Sequence, residues 1–378
     1  MDFGLSEQQR AMQDGLRRYL QQSAGVEYVR KALANGPTHD AQLWQGLADL
    51  GLTGLLVPEA YGGLGLPLLD AVLVQEVLGE FAAPVDYTAS AILAPLALTL
   101  AGSERQKEKW LPPLAAGTLQ VAVAITDAGG SRDGAGVTAL NDTLNGRLLF
   151  ALGAPGADLL ILSCTEGDLY AVPRAAPGLE WIALRSIDDT RCLWELNLQD
   201  VAAELLHPGE GDAIAPLVAA GRIALAADTL GAAQCMLGKA VAYAGERQQF
   251  KRLIGSFQAV KHMCAEMAAE LEPCRALLWY AAHAFDTVPG ERTLMACHAK
   301  AHLSEVGTFI ARTATEVHGG MGFTDLLGLH YWFKRIGFDR QMLGTPERLR
   351  QEAARAGPDP LTRTLVHRSR DLVSSPSP

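Results

Sequence analysis

The chain has 378 residues, of which 49% are hydrophobic, 20% charged and 6% aromatic, proportions that suit a folded globular protein and exclude a disordered or fibrous one. A formal net charge of −10, with the basic residues scattered along the chain, leaves no cationic footprint for a nucleic-acid backbone. Abundant alanine, leucine and glycine with few aromatics point to closely packed helices.

The chain starts polar from Asp2, with no basic segment leading into an apolar one, so no secretory signal is expected and the protein is expected in the cytoplasm. Ser6-x-x-Gln9 has the form of a capping box and opens a helical region reaching about Gly117. Trp44, Leu47, Leu50 and Leu52 recur at near-helical spacing after Asp40, and Gly51 ends that helix. The proline and glycines of the stretch that starts at Val57 predict a loop, and the next helix spans about residues 68–81. Residues 88–100 are the most apolar run, shorter than the roughly 20 residues of a membrane span and interrupted by Pro95, so a buried helix and no membrane are expected.

Between Leu119 and about Pro208 the pattern changes to short apolar segments, at 121–126, 148–152, 159–163, 169–172 and 192–198, separated by turn residues. This predicts a small antiparallel sheet or barrel. Helical periodicity resumes at Leu217 and runs to about Ala356, as a bundle. The expected fold class is therefore mainly α with a central β domain, divided as 1–118, 119–208 and 209–356, with a mobile tail from 357 to 378. Six cysteines lack any CxxC or clustered spacing and are read as free, mostly buried thiols. His298 and His302 stand four residues apart without an HExxH context, and ordinary helical histidines are the plainer reading than a metal site.

Five segments, in order, resemble the acyl-CoA dehydrogenase family. They are the run Leu-Thr-Gly-Leu-Leu-Val-Pro-Glu-Ala-Tyr-Gly-Gly from Leu52, Gln-Lys-Glu-Lys-Trp-Leu-Pro-Pro from Gln106, and Ile-Thr-Asp-Ala-Gly-Gly-Ser-Arg-Asp from Ile125. The fourth is Tyr-Ala-Gly-Glu-Arg-Gln-Gln-Phe-Lys-Arg-Leu-Ile-Gly-Ser-Phe-Gln from Tyr243, and the fifth His-Gly-Gly-Met-Gly-Phe-Thr from His318. Singly each is weak: a glycine turn after a helix is a plain C-cap, and Arg247 a solvated helix end. The opening residues also resemble small subunits of heterotetrameric members such as the pimeloyl-CoA dehydrogenases. The likeness implies an N-terminal helical domain, a middle β-barrel or sheet and a C-terminal four-helix bundle. It also implies FAD as cofactor, an acyl-CoA substrate, a homotetramer or a heterotetramer with a related subunit, and electron-transfer flavoprotein as acceptor.

A flavin dinucleotide needs its pyrophosphate met by backbone N–H groups and an arginine fork, with glycines allowing close approach. By resemblance, Arg247, Gln249 and Phe250 with Gly319, Gly320 and Gly322 reach a neighbouring subunit's FAD, with Gln258 and Glu316 beside them. Thr126 and Ser131 match positions that meet the flavin within the same chain. Arg222 matches a residue close to substrate, although a surface arginine near a helix start is an equal reading.

The family removes the α-proton of its thioester with a glutamate while the β-hydride passes to flavin, so a placed base is indispensable. The two positions where members carry it hold Leu343 and Gly221 here. Asp339, Glu347 and Glu316 are candidate substitutes, each with a plainer reading, as a surface carboxylate or, for Glu316, as a replacement for a glutamine. Lys251 replaces the glycine after Gln-Phe, and Phe150-Ala151-Leu152 stands for a common Trp-x-Thr strand. The expectation is a FAD-binding subunit lacking its own base that completes a partner's flavin site. Its rivals are a self-sufficient dehydrogenase with a displaced carboxylate, a flavin monooxygenase or oxidase on the same scaffold, and a subunit that has lost flavin.

Overall fold

The structure, a computed structural model, describes residues 4–23, 25–35, 39–125, 134–153, 155–206 and 212–356. α1 (Glu7–Ser23) is opened by a reciprocal cap: the Ser6 N–H donates to Gln9 Oε1 at 3.0 Å and the Gln9 N–H to Ser6 Oγ at 3.1 Å. After α2 (Val26–Ala32), α3 (Ala41–Asp49) begins where Asp40 Oδ1 accepts from the Gln42 and Leu43 amides. Gly51, at φ +75°, turns the chain out of α3. α4 (Leu68–Glu80) is buried along most of its length. Residues Thr88–Leu93 form a wholly buried π-helical segment that leads into α5 (Ala94–Ala101), with Pro95 in the first turn where a missing N–H costs nothing. α6 (Glu104–Ala115) completes the first helical segment.

Among the described residues eight strands follow: β1 (Val121–Ala124), β2 (Gly136–Leu140), β3 (Thr143–Leu152), β4 (Leu159–Ser163), β5 (Leu169–Pro173), β6 (Leu179–Leu184), β7 (Leu193–Ala202) and β8 (Glu204–Leu206). They form one sheet in the order β6-β7-β3-β1-β4-β5-β8, with β2 also paired to β3. The sheet is mixed, not antiparallel as the segments suggested. β1 and β4 run parallel, with Val121 opposite Leu159 and Ala124 opposite Leu162, because the excursion through β2 and β3 supplies the crossover that a parallel return requires. Side chains of β1 alternate between two cores, Val121 and Val123 toward the helices and Ala122 and Ala124 toward a smaller cluster on the other face.

α7 (Ile214–Glu246) is the central helix of the second helical segment. It packs against α4 and against α8 (Gln258–Thr287), α9 (Arg292–His318) and α10 (Leu329–Gln341), while α11 (Pro346–Ala356) lies on α9. By length and composition α7, rather than residues 88–100, is the helix that could cross a membrane, and 83% of its apolar window is buried inside this protein. α4 and α7 touch backbone to backbone: a Cβ on Gly231 would lie 1.8 Å from the Glu76 carbonyl, and one on Gly79 2.2 Å from that of Asp228. One hydrophobic core runs through both helical segments, from Leu16 to Leu343. All six cysteines are free, four of them buried, and no His, Cys, Asp or Glu cluster among the described residues is arranged for a metal.

Candidate functional site

α7 ends where Arg247 leaves helical geometry at ψ 129°. Two short strands, β9 (Gln248–Gln249) and β10 (Arg252–Leu253), then pair as a hairpin joined by Phe250 and Lys251. Both loop residues are left-handed, at φ +52° and +62°, the conformation of a type I′ turn, which explains a family preference for glycine at the Lys251 position. The turn throws Phe250 outward, 86% exposed, edge-on to Phe257 at 6.1 Å, and Arg252 stacks over the Phe257 ring at 3.8 Å.

α9 ends at the same place, because Gly319 at φ +58° caps it and its N–H bonds back to the Glu316 carbonyl. The two helix ends are joined by Tyr243 stacked on His318, with ring centroids 4.5 Å apart. Burial, and then the nearby Lys239, lower the His318 pKa despite its contact with the Ala314 carbonyl, so the ring is held neutral. Between these ends lies an open cleft of ≈ 550 Å³. Of the residues named from sequence, Arg247, Gln249, Phe250, Gly319 and Gly320 line it together. Tyr243, Phe257 and Met321 line it too and were missed, although the Tyr243 motif contains two of them. Gln258 and Glu316 are exposed beside the cleft but do not line it. Thr126 and Ser131 lie outside the described residues.

The cleft fits the phosphate end of a dinucleotide. Among the described residues no carboxylate or carbonyl is bonded to the Arg247 guanidinium, and nothing lies within 4 Å of a Cβ built on Gly319 or Gly320, so their backbone is open to an approaching group. Gly322 differs: its Cβ would meet the Thr315 carbonyl at 2.5 Å, so it is a packing glycine. Gly322→Ala is therefore expected to lower the unfolding free energy by about 1–3 kcal/mol in a urea titration, and Gly320→Ala to leave it unchanged.

The two base positions converge on one point. A Cβ on Gly221 would lie 2.5 Å from Leu343 Cδ1 and 3.6 Å from Leu93 Cδ2, so aliphatic groups occupy the place of a carboxylate. Arg222 is neither a surface arginine nor open to substrate within this chain: it is 1% exposed and bonded to Glu352 and to the Leu343 carbonyl. Phe150 sits at a break in β3–β7 pairing with φ +61°, and Ala151 beside it is fully buried.

Asp339 is not a surface carboxylate but fully buried, inside a charge cluster that sequence reading missed. Burial, and then the Asp228 carboxylate, push its pKa well above the ordinary range, so it carries the proton of the pair. Burial would raise Asp228 as well, but Arg191 and Arg335 overcome it and hold that carboxyl ionised. Arg335 grips Asp228 at 2.7 and 2.9 Å, Arg191 stands 2.8 Å away, and Gln75 donates at 2.6 Å. Glu347 stays exposed beside Arg340, and Glu316 is exposed on α9.

Comparison with known proteins finds two family models. "Acyl-CoA dehydrogenase, N-terminal domain" matches residues 6–118, and "Acyl-CoA dehydrogenase, C-terminal domain" matches residues 211–357. The acyl-CoA dehydrogenase IpdE2 of Mycobacterium tuberculosis is 30% identical over 342 residues, which cover 90% of this chain and 94% of that one. Among solved structures, a Tcur3481-Tcur3483 steroid ACAD variant is 28% identical with a TM-score of 0.85, covering 93% of this chain and 97% of its own. The ChsE4-ChsE5 complex from Mycobacterium tuberculosis contains a chain 25% identical with a TM-score of 0.85, each chain covered completely.

Proposed function

Because this chain belongs to the acyl-CoA dehydrogenase family, and is thus part of a FAD-dependent oxidoreductase acting on acyl-CoA, we propose that it completes the FAD site of a related subunit and abstracts no proton itself. The observation that carries this reading is the contrast between two regions. The cleft of Arg247, Gln249, Phe250, Gly319 and Gly320 is intact, while Leu343 and Leu93 close over Gly221 where a base would stand. FAD, when bound, would supply the acceptor for the substrate's β-hydride. What this chain's residues do toward it is electrostatic and steric: Arg247 offers a planar fork to a pyrophosphate, and the bare backbone of Gly319 and Gly320 admits close contact. The related subunit supplies the glutamate in a heterotetramer, and electron-transfer flavoprotein is the proposed acceptor. A heteromer is favoured over a homotetramer because a missing base costs on the order of 10²- to 10⁴-fold in rate. A steroid-derived acyl group is the proposed substrate class, supported by the likeness to the steroid ACAD.

The test is purification of the chain alone and together with the product of its neighbouring gene. The lone chain is expected to form enoyl-CoA at about 1% or less of the rate of the pair. Arg247→Ala is expected to strip flavin absorbance from the pair and leave the unfolding midpoint of the lone chain in place, since that guanidinium has no hydrogen-bond or ion-pair partner among the described residues of its own chain. Full dehydrogenase activity from the lone chain refutes the reading.

A further inference from the structure

Arg222 faces no solvent, yet its whole guanidinium is engaged. Nε donates to the Leu343 carbonyl at 2.9 Å, the terminal nitrogens grip the two Glu352 oxygens at 2.7 and 2.8 Å, and one of them reaches Cys297 Sγ at 3.3 Å. Glu352 belongs to α11 and Leu343 to the turn between α10 and α11, so a single side chain of α7 ties that turn and the next helix to itself. The turn is unfavourable for its sequence, with Leu343 at φ +55° ahead of Gly344 at φ +118°. A leucine in the left-handed region is strained, so the surroundings must hold it there. The Arg222 bond to that residue's own carbonyl is such a hold. With this backbone the side chain at 343 turns inward, 3% exposed, and lies over Gly221.

We propose that Arg222 is a positioning residue: through the carbonyl of residue 343 and the carboxylate of Glu352, it aims the side chain at 343 onto the spot above Gly221. The site has kept this aiming device, and the leucine it holds is an aliphatic plug where a carboxylate would accept a proton. Only a planar fork can serve one carbonyl and two carboxylate oxygens together, so lysine cannot replace it. The inference rests on the reading that neither 221 nor 343 carries a base.

The experiment follows proton removal apart from flavin reduction. The full chain is mixed in D2O with an acyl-CoA whose β-carbon is replaced by sulfur, which has no β-hydride to lose. A base takes the α-proton, the electron pair of that C–H bond moves into the thioester, and a deuteron returns from the solvent-exchanged carboxyl. Proton NMR reads the exchange.

Leu343→Glu is expected to raise the rate about 100-fold over the parent, and Leu343→Gln to leave it at background. Adding Arg222→Lys or Glu352→Gln to Leu343→Glu is expected to lower it again about tenfold with thioester affinity kept within about twofold, as lost aim does. Unfolding midpoints identify any variant that fails to fold, and Glu352→Gln, which keeps one hydrogen bond, is the milder of the two. Double variants as fast as Leu343→Glu alone would overturn the positioning role. No gain from Leu343→Glu would also overturn it, while the proposed subunit function stands. Rapid exchange by the parent chain would instead remove the base-free reading, and the inference with it.

Discussion

Asp228→Ala is expected to cost about 3–5 kcal/mol, a large share of the roughly 5–15 kcal/mol that holds a native protein together, and to lower the yield of soluble protein. The reason is what the carboxylate faces. Arg335 and Arg191 are 0% and 4% exposed, and Asp228 is the carboxylate that meets both. Arg335 also donates to the Ala83 carbonyl at 3.1 Å and to Thr190 Oγ1 at 2.8 Å, and Arg191 to the Val85 carbonyl at 3.2 Å. Neither guanidinium can swing to water when its partner is removed, so both stay in the interior without the carboxylate that they directly grip, and buried Asp188 and Asp339 offset the loss only from further off. Asp49→Ala, which loses only an exposed bond to Gln45, is the control, expected within about 0.5 kcal/mol of the parent in the same urea titration.

Lys300→Met is expected to do the reverse. Lys300 is fully buried on α9, donating to Ser304 Oγ at 3.2 Å and to the Asp339 carbonyl. Burial lowers its pKa from 10.5 to about 7, and the nearby Arg222 and Arg340 push the same way. A lysine depressed on folding binds fewer protons in the native state than in the unfolded one, so stability rises with pH between those two values. The cost is fully present below about 7 and vanishes above 10.5. At neutral pH it amounts to a few kcal/mol, on the order of 1.4 kcal/mol for each pH unit by which the value is lowered, and the bonds to Ser304 and Asp339 return part of it. Lys300→Met should therefore gain about 2 kcal/mol near pH 7 and lose that advantage by pH ~10. Buried cysteines such as Cys297, raised by burial to about 11, destabilise at the alkaline end, so the checking quantity is the difference between variant and parent across the pH series. A difference that does not shrink with pH would dismiss the explanation.

What could be read before the structure was local. Ser6 with Gln9, Asp40 with the helix it caps, and the proline and glycines after Val57 act within a few residues, and so do the motifs of Arg247 and Gly319. The sequence segments do not include β2, in which Val137 alone is buried, or β6, half exposed with no clean alternation, or β8, three residues long. The parallel pairing of β1 with β4 depends on a partner 38 residues away, which no local pattern records. The charge cluster is harder still, since Arg335 and Asp228 lie 107 residues apart. A signal existed: Arg222 and Asp228 are charged residues inside the apolar run of α7, and a charge that cannot leave a buried helix must be matched from elsewhere.

The backbone contact of α4 with α7, Gly79 against Asp228 and Gly231 against Glu76, alters how the molecule should be thought of as a machine. Chain order suggests three bodies in a row, but the first and third are welded at a point where not even a methyl group fits, leaving no lubricating layer along which they could slide. Mechanically there are two parts, a continuous helical block and a sheet spliced into one of its connections. The sheet is fastened to that block as well, by Val121 and Val123 in the shared core and by Arg191 and Thr190 in the buried charge cluster, so an unrelated β module grafted between the same two ends would strip the block of part of its own interior.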